Sequence, residues 1–527
     1  MTSPSLATRH APTGMVASVD HLASSAGVAV LRDGGSAVDA AVAASAVLAV
    51  TCPHLCGMGG DLFALVYVPG ETMPAALNAS GRAGSGADPS RLLAEGATAM
   101  PFRGDVRSAP VPGCVDGWLA LHERFGRLPI DRLLEAAAIY AVAGFPASPL
   151  LAAAQVLLDH VPGVDDLVRT RPLRAGDLVR RPGVGRALAA IVEHGRDGFY
   201  EGEFGEGLLR LGDGEYVADD LRRPLADWVE PLRTRAWDHD LWTIPPNSQG
   251  YLTLLGCAVA EGLDLPDDPD DGAWAHLLVE AARAAGHDRP AVLHEHADVS
   301  VLLAPDEVDR RRGLVDPDHR NELIRTPTAG GGTMHLCAAD GDGMGVGLIQ
   351  SNASGFGSLV FEPSTGIGLH NRGIGFNLDL DHPACYGPGR RPPHTLSPAL
   401  VTQPGGELRA VVGTMGGDSQ PQILLQLLCR FLRHGQSAGT AVGAPRWTLT
   451  GSTGFDTWTV PSGLRVQVEH GAPSEWTRGL EQRGHRVVAA GPEASHGFGH
   501  AHLIAATDAG WAGASDPRAL VGGAVGY

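Results

Sequence analysis

The sequence predicts a mixed α and β globular fold, and three observations carry that reading. Blocks with apolar residues at three- and four-residue spacing alternate with short strand-like runs along the chain. Hydrophobic residues make up 44% and charged residues 19%, an ordinary globular balance with ample material for a core. The 71 glycines supply many tight turns between elements. A length of 527 residues would by itself suggest about three or four domains, although large α/β chains also run as one compact unit.

Taken in order, Met1–His10 has no charged start followed by an apolar core, so it does not read as a secretory signal and a cytoplasmic location is expected. Asp20 to Leu31 and Ser36 to Val50 read as helices, the first ended by Asp33-Gly34-Gly35 and the second by Cys52-Pro53. The apolar stretch Ala37 to Val50 carries Asp39 and is too short to span a bilayer, so it reads as a buried helix and no membrane partner is expected. Asp61 to Val68 reads as a strand. From Pro129 to about Leu211 the pattern is mainly helical, and Ala275 to Ala285 adds another helix. Asp306 to Gly332 reads as an exposed linker. Beyond it strands dominate, with two joined by a turn at Asp340 to Gly343 and one clear helix from Pro421 to Arg433.

Charge excludes whole classes of function. The net charge is −19 and the chain has no lysine, so all 40 basic residues are arginine. A pyridoxal Schiff base, a P-loop lysine and a lysine nucleophile are therefore impossible. The negative field and the lack of a basic run longer than Arg310-Arg311-Arg312 argue against nucleic acid. Seven cysteines, an odd number, read as free thiols in a reducing compartment. Cys52 and Cys56 lack a second pair at zinc-ligand spacing. Glycines 497 and 499 spoil a helical ligand arrangement for His496, His500 and His502, so no metal is expected. Gly57-Met-Gly-Gly60 precedes a strand, whereas a dinucleotide fingerprint follows one, and no cofactor is implied. Cys337 is expected on the inward face of its strand.

The stretch Gly331-Gly332-Thr333-Met334-His335 carries the chemistry. A threonine freed at its amino group by scission after Gly332 would hold its own base. An α-amine titrates near about 7.7 to 8.0, so part of it is unprotonated at neutral pH and can accept the proton of the Thr333 hydroxyl. The same run, read by itself, is also a threonine opening a strand after a flexible loop.

The motifs around it narrow the choice. Val346-Gly-Leu-Ile-Gln-Ser351-Asn352, Gly355-Phe-Gly-Ser358, Pro363 to Gly368, Arg391-Pro-Pro-His-Thr-Leu-Ser-Pro398 and Gly413-Thr-Met-Gly-Gly417 follow in order, and Gly34 to Val42, His54 to Gly60, Val111 to Gly117 and Pro245 to Gly250 precede them. In this order the chain resembles the γ-glutamyltransferase family of N-terminal nucleophile hydrolases over nearly its whole length. The resemblance implies an α+β, four-layer αββα sandwich in one compact domain. It implies a precursor cleaving itself into a large subunit, residues 1 to 332, and a small one, 333 to 527, which stay together, with a homo-oligomer of that pair left open. Gly332 and Thr333 would form the cleavage site and Thr333 the nucleophile. Gly416 and Gly417 would form the oxyanion hole, where the reading without the family is a hairpin turn. Ser351 would support the nucleophile, where the other reading is a strand serine facing solvent.

Substrate recognition departs from the family. The residues that hold a γ-glutamyl ammonium there fall on Ala353, Arg372 and Gly375, and two carboxylate-binding serines fall on His394 and Thr395. In an ungapped reading the family arginine falls on Ser80, and Arg82, two residues later, is expected to reach the same space. An arginine repels an ammonium and attracts a carboxylate, so Arg372, Arg82, His394, Thr395 and Asn352 are expected to line a pocket for a small anionic acyl group. The Ile349-Gln-Ser-Asn352 and Gly416 to Gln420 variants resemble the branch containing oxamate amidohydrolases, which implies hydrolysis of a small-molecule amide. The alternatives are a γ-glutamyl transpeptidase or hydrolase, an acyl or C–C bond hydrolase of a natural-product pathway, and a silent homologue used as a binding module, for which Met334 and the lost glutamyl shell speak.

Overall fold

The structure is a computed structural model that describes residues 6–168, 171–322, 332–450, 457 and 464–527, without the side chains of 495 and 496. Gly331 and the His496 side chain, singled out above, and positions 323–330 of the expected linker lie outside the described residues. Among the described residues two seven-stranded sheets form the centre. The first runs in the order Gly523–Gly526, Met15–Ser18, Gly332–Ala339, Gly345–Ala353, Asp61–Tyr67, Ala75–Ala79 and Asp227–Val229. The second runs Arg9–Ala11, Gly510–Ser515, Ala501–Thr507, Leu408–Thr414, Ala399–Thr402, His239–Thr243 and Leu232–Ala236. Neighbours in both sheets pair antiparallel.

The sheets stack face to face, and Phe63, Cys337, Leu400, Val411 and Ile504 fill the space between them. Cys337 points inward as its strand alternation requires. On the outer face of the first sheet pack the helices His21–Arg32, Ala37–Thr51 and Ile130–Ala143. On the second pack Tyr251–Glu261, Gly272–Gly286 and Gln420–Leu428. Helix, sheet, sheet, helix is the four-layer αββα order expected from the resemblance.

Local sequence explains the helices that frame the site. Asp20 caps the first by accepting the Leu22 N–H at 2.9 Å. Ser36 and Asp39 form a reciprocal capping box at the start of Ala37–Thr51, with contacts of 2.9 and 3.1 Å. Every residue of that helix is buried, because its small side chains let it lie flat between the sheet and the outer helices. From it Ser45 donates to Gln350 Oε1 at 2.6 Å, while Gln350 Nε2 returns a bond to the Ser45 carbonyl at 3.0 Å. This buried knot fixes the strand that carries Ser351.

Two expectations change. The region 306–322 is largely exposed, as expected, but is not a structureless linker: it forms the helix Pro305–Arg312 and then lies along Gly272–Gly286. The cause is buried polarity on that helix. The His276 ring meets the Asp316 carbonyl at 2.8 Å through Nε2, and Glu280 Oε2 accepts the Asn321 N–H at 2.9 Å. After Thr333 there are also helices at Ala438–Gly443 and Ser474–Gln482, beyond the one read from the sequence.

Candidate active site

Thr333 sits second in its strand, fully buried, where the ladder changes register. Gly332 pairs with Ala353 but Met334 pairs with Gln350, so Ser351 and Asn352 both lie opposite the single Thr333. A bulge of this kind re-aims side chains next to it. Here Thr333 Oγ1 and Ser351 Oγ come to 3.1 Å, and Ser351 Oγ also accepts the Ala353 N–H at 2.8 Å. Ser351 therefore faces Thr333 and is buried, not a solvent-facing strand serine.

The second sheet brings Gly416 and Gly417 to the same end. Its strand Leu408–Thr414 crosses the first sheet so that Leu408 and Val411 lie over Gly345 and Gly413 lies over His335. A Cβ on Gly413 would stand 2.3 Å from the His335 ring, so only glycine permits this approach. The direction of travel carries the strand's continuation toward Thr333. Gly416 and Gly417 follow at φ of 137° and 58° and lead into the helix Gln420–Leu428, so the pair is a strand-to-helix turn and not a hairpin. Among the described residues neither amide N–H has an acceptor. Two such amides beside a helix N-terminus suit a developing negative oxygen.

Asp61, the strand neighbour of Ser351 on its other side, anchors the remaining wall. Its carboxylate accepts the Gly81 N–H at 2.6 Å and the His394 Nε2–H at 2.9 Å, and His370 Nδ1 lies 3.2 Å away. Burial opposes ionisation of Asp61, yet His370 and His394 outweigh it and hold the group far below the usual carboxylate range. Burial pushes His394 down to about 4 against the pull of Asp61. His394 Nδ1 accepts the Leu396 N–H at 3.3 Å, so both ring nitrogens are used.

Arg372, from the turn Arg372–Gly375, donates through Nη1 to Thr395 Oγ1 at 3.0 Å. It is 1% exposed, and its Nε and Nη2 have no hydrogen-bond partner among the described residues. Burial, and then the neighbouring Arg289, push it down to about 10, while Asp418 and Asp61 act in the opposite direction. Gln249 ties this wall to the glycine turn, since its Nε2 donates to the carbonyls of Thr395 and Gly417, both at 3.0 Å. Arg289 Nε donates to Gln249 Oε1 at 2.8 Å, and its Nη2 lies 3.7 Å from buried Asp418.

Thr333 meets Ser351 directly, and Asp61, Gln249 and Thr395 link the glycine turn and Arg372 to that wall, whereas three expected substrate contacts are engaged elsewhere. Arg82 spends its guanidinium on Glu295, on Asp227 at 3.4 Å and on the Gly389 carbonyl at 3.0 Å, so two carboxylates already neutralise it. Asn352 points to the other side of the sheet, where Nδ2 donates to the Pro53 carbonyl at 3.1 Å. His394 is a scaffold residue for the reason just given. The sequence reading missed Asp61, Gln249, Arg289 and Asp418. Gln249 and Asp418 lay inside motifs already noted, whereas nothing local marked Asp61 or Arg289. Among the described residues no group of three or more His, Cys, Asp or Glu is arranged to hold a metal ion, and no helix is long and apolar enough to cross a membrane.

Stacked antiparallel sheets between helices, with a buried threonine at the head of a central strand, define the N-terminal nucleophile class of acyl hydrolases and transferases. The chain belongs to the γ-glutamyltranspeptidase family, whose profile matches residues 23–526. It is 35% identical to the oxamate amidohydrolase proenzyme of Klebsiella pneumoniae, covering 98% of each chain. It is 34% identical to the glutathione hydrolase-like YwrD proenzyme of Bacillus subtilis, over 96% of this chain and 97% of that one. The crystal structure of a cephalosporin acylase from Bacillus halodurans superposes with a TM-score of 0.89 at 31% identity, covering 100% of this chain and 98% of the other.

Proposed function

We propose that the protein is a self-processing amidase that releases a small anionic acyl group through an acyl-enzyme on Thr333. In the precursor, Thr333 Oγ1 attacks the Gly332 carbonyl, moving the acyl group from nitrogen to oxygen. Water then opens that ester, leaving residues 1 to 332 and 333 to 527 and a free α-amine on Thr333. In the mature enzyme this amine takes the Oγ1 proton as Oγ1 attacks the substrate carbonyl. The Gly416 and Gly417 amides receive the oxyanion, Ser351 orients the nucleophile, and the departing amine leaves with the proton. Water completes the cycle.

The observation that carries the substrate reading is Arg372, a buried cation with two unused donor nitrogens on the wall beside the glycine turn. A carboxylate at the far end of the acyl group would take both. The resemblance to an oxamate amidohydrolase, named for the half-amide of a dicarboxylic acid, supports the same class. A γ-glutamyl substrate is disfavoured because its ammonium would meet Arg372 and Arg289. A cytoplasmic site belongs to the proposal and is supported by seven free, buried thiols.

Denaturing electrophoresis with amino-terminal sequencing tests the first step. Wild type should give two fragments, one beginning Thr-Met-His, and Thr333→Ala should persist as one 54.7 kDa chain. A wild-type chain that stays whole yet hydrolyses half-amides would sink the mechanism.

A further inference from the structure

The Gly416 and Gly417 amides, which receive the oxyanion in the amidase reading, lie in a turn that no side chain of its own can hold, with φ of 137° and 58°. Glycine has many neighbouring conformations open to it at such angles, so the direction of each N–H has to be set from outside. A trans peptide unit is planar, and its N–H points opposite to the carbonyl of the residue before it. Whatever holds that carbonyl therefore aims the amide.

The carbonyl opposite the Gly416 N–H is that of Met415, and it accepts the Thr414 hydroxyl at 2.8 Å. Thr414 is fully buried, and the backbone at Gly499 closes over the bond: a Cβ there would stand 2.7 Å from Thr414 Oγ1 and 2.5 Å from the Met415 oxygen. The carbonyl opposite the Gly417 N–H is that of Gly416. Ser419 donates to it twice, through Oγ at 2.6 Å and through its backbone N–H at 3.0 Å. Ser419 precedes the helix Gln420–Leu428, where a serine ordinarily accepts an N–H of the first turn, yet its side chain makes no such cap. Its hydroxyl is turned back onto the glycine pair instead.

Resting on the amidase reading, we infer that Thr414 and Ser419 are positioning residues of the oxyanion hole, Thr414 aiming the Gly416 N–H and Ser419 the Gly417 N–H. Neither needs to touch substrate. A hydrogen bond accepted by a peptide carbonyl also polarises the N–H of the same unit, so each hydroxyl strengthens the donor that it aims. Both effects grow as charge develops on the substrate oxygen, whereas the acid end of the bound substrate is held elsewhere, at Arg372. Removing either hydroxyl should thus act on kcat and spare KM.

The test uses the processed protein with N-(4-nitrophenyl)succinamic acid and its thioamide counterpart, in which sulfur replaces the scissile carbonyl oxygen. Sulfur is the weaker acceptor, so well-aimed amides favour the oxo substrate and a loosened turn loses that preference. Ser419→Ala keeps the backbone bond to Gly416, and Thr414→Val keeps the shape of the buried side chain. Each should lower kcat for the oxo substrate by about fivefold to 100-fold, between the worth of one neutral hydrogen bond and the loss of one donor, with KM within about twofold of wild type. The oxo-to-thio ratio of kcat should fall by about fivefold or more, and Ser419→Thr, which keeps a hydroxyl, should restore it. The two variants act on different amides, and each decides the matter for its own. An unchanged kcat, or equal losses on both substrates with the wild-type ratio kept, refutes the positioning role and leaves the amidase reading intact. Processed wild type that turns over neither the anilide nor succinamic acid itself refutes both.

Discussion

Replacing Arg372 by Gln separates what this residue does for the substrate from what it costs the fold. Burial and Arg289 lower it from 12.5 to about 10. Each unit corresponds to about 1.4 kcal/mol, so holding the charge inside costs about 3 kcal/mol. The sign is fixed by the direction of the shift. A base whose folded value lies below its unfolded value is disfavoured in its charged form at every pH below about 10. The free Arg372→Gln protein should therefore be more stable than wild type, while Gln still offers Thr395 a partner. With substrate the balance reverses. Truncating one side of a buried charged pair costs about 2–5 kcal/mol, which is a loss of about 30-fold to several thousand-fold in kcat/KM. The assay compares succinamate-type half-amides with their methyl esters, which lack the charge. The acid should lose at least 30-fold and the ester about threefold or less, and urea unfolding should show the unliganded variant gaining stability. Equal losses for acid and ester, or a variant that is less stable when free, would refute the assignment.

Gly416→Ala puts a Cβ on a residue at φ 137°, 2.6 Å from Ser419 Oγ, and so turns the Gly416 N–H away from its direction. Loss of one oxyanion donor lowers kcat by about 10²- to 10³-fold, read in pre-processed two-chain protein by single-turnover kinetics, and a kcat near wild type removes Gly416 from the site. The fold should also weaken in mild acid. Burial lowers His54 to about 3, His394 to about 4 and His502 to about 3, from 6.5. Because these folded values lie below the unfolded one, their stabilising effect is complete above about pH 6.5 and is lost as pH falls toward 4. By pH 5 each forfeits about 2 kcal/mol, together about 6, against total stabilities of about 5–15 kcal/mol. Urea midpoints at pH 7 and pH 5 read this directly, and an unchanged midpoint would contradict the burial of neutral imidazoles.

What the sequence made legible was local. Asp20 and the Ser36–Asp39 pair mark helix starts because a cap is a contact between residues a few positions apart. The turn at Asp340 to Gly343 and the alternation around Cys337 fix the strand pair that holds Thr333 and Ser351 for the same reason. The family motifs added the glycine pair and Arg372. The remaining wall was illegible because its bonds span the chain: Asp61 meets His394 across 333 positions and Gln249 meets the Gly417 carbonyl across 168. Arg82 failed in the opposite way. It is near the expected place in sequence, but its partners Glu295 and Asp227 come from elements 213 and 145 residues away and take up its charge.

That difference between two arginines decides the chemistry of the pocket. Arg82 shares Glu295 and Asp227 with Arg391, and these carboxylates together with the Gly389 carbonyl take up its guanidinium. Arg289 and Arg372 have between them the buried Asp418 and the more distant Asp61, which also serves His370 and His394. Two arginines there face two carboxylates, so what the pocket lacks is hydrogen-bond acceptors for the buried Arg372 Nε and Nη2. Donors buried without matching acceptors cost stability unless a ligand completes them. An anionic acyl group is the ligand that would do so, and Thr333 stands at the head of the strand beside it.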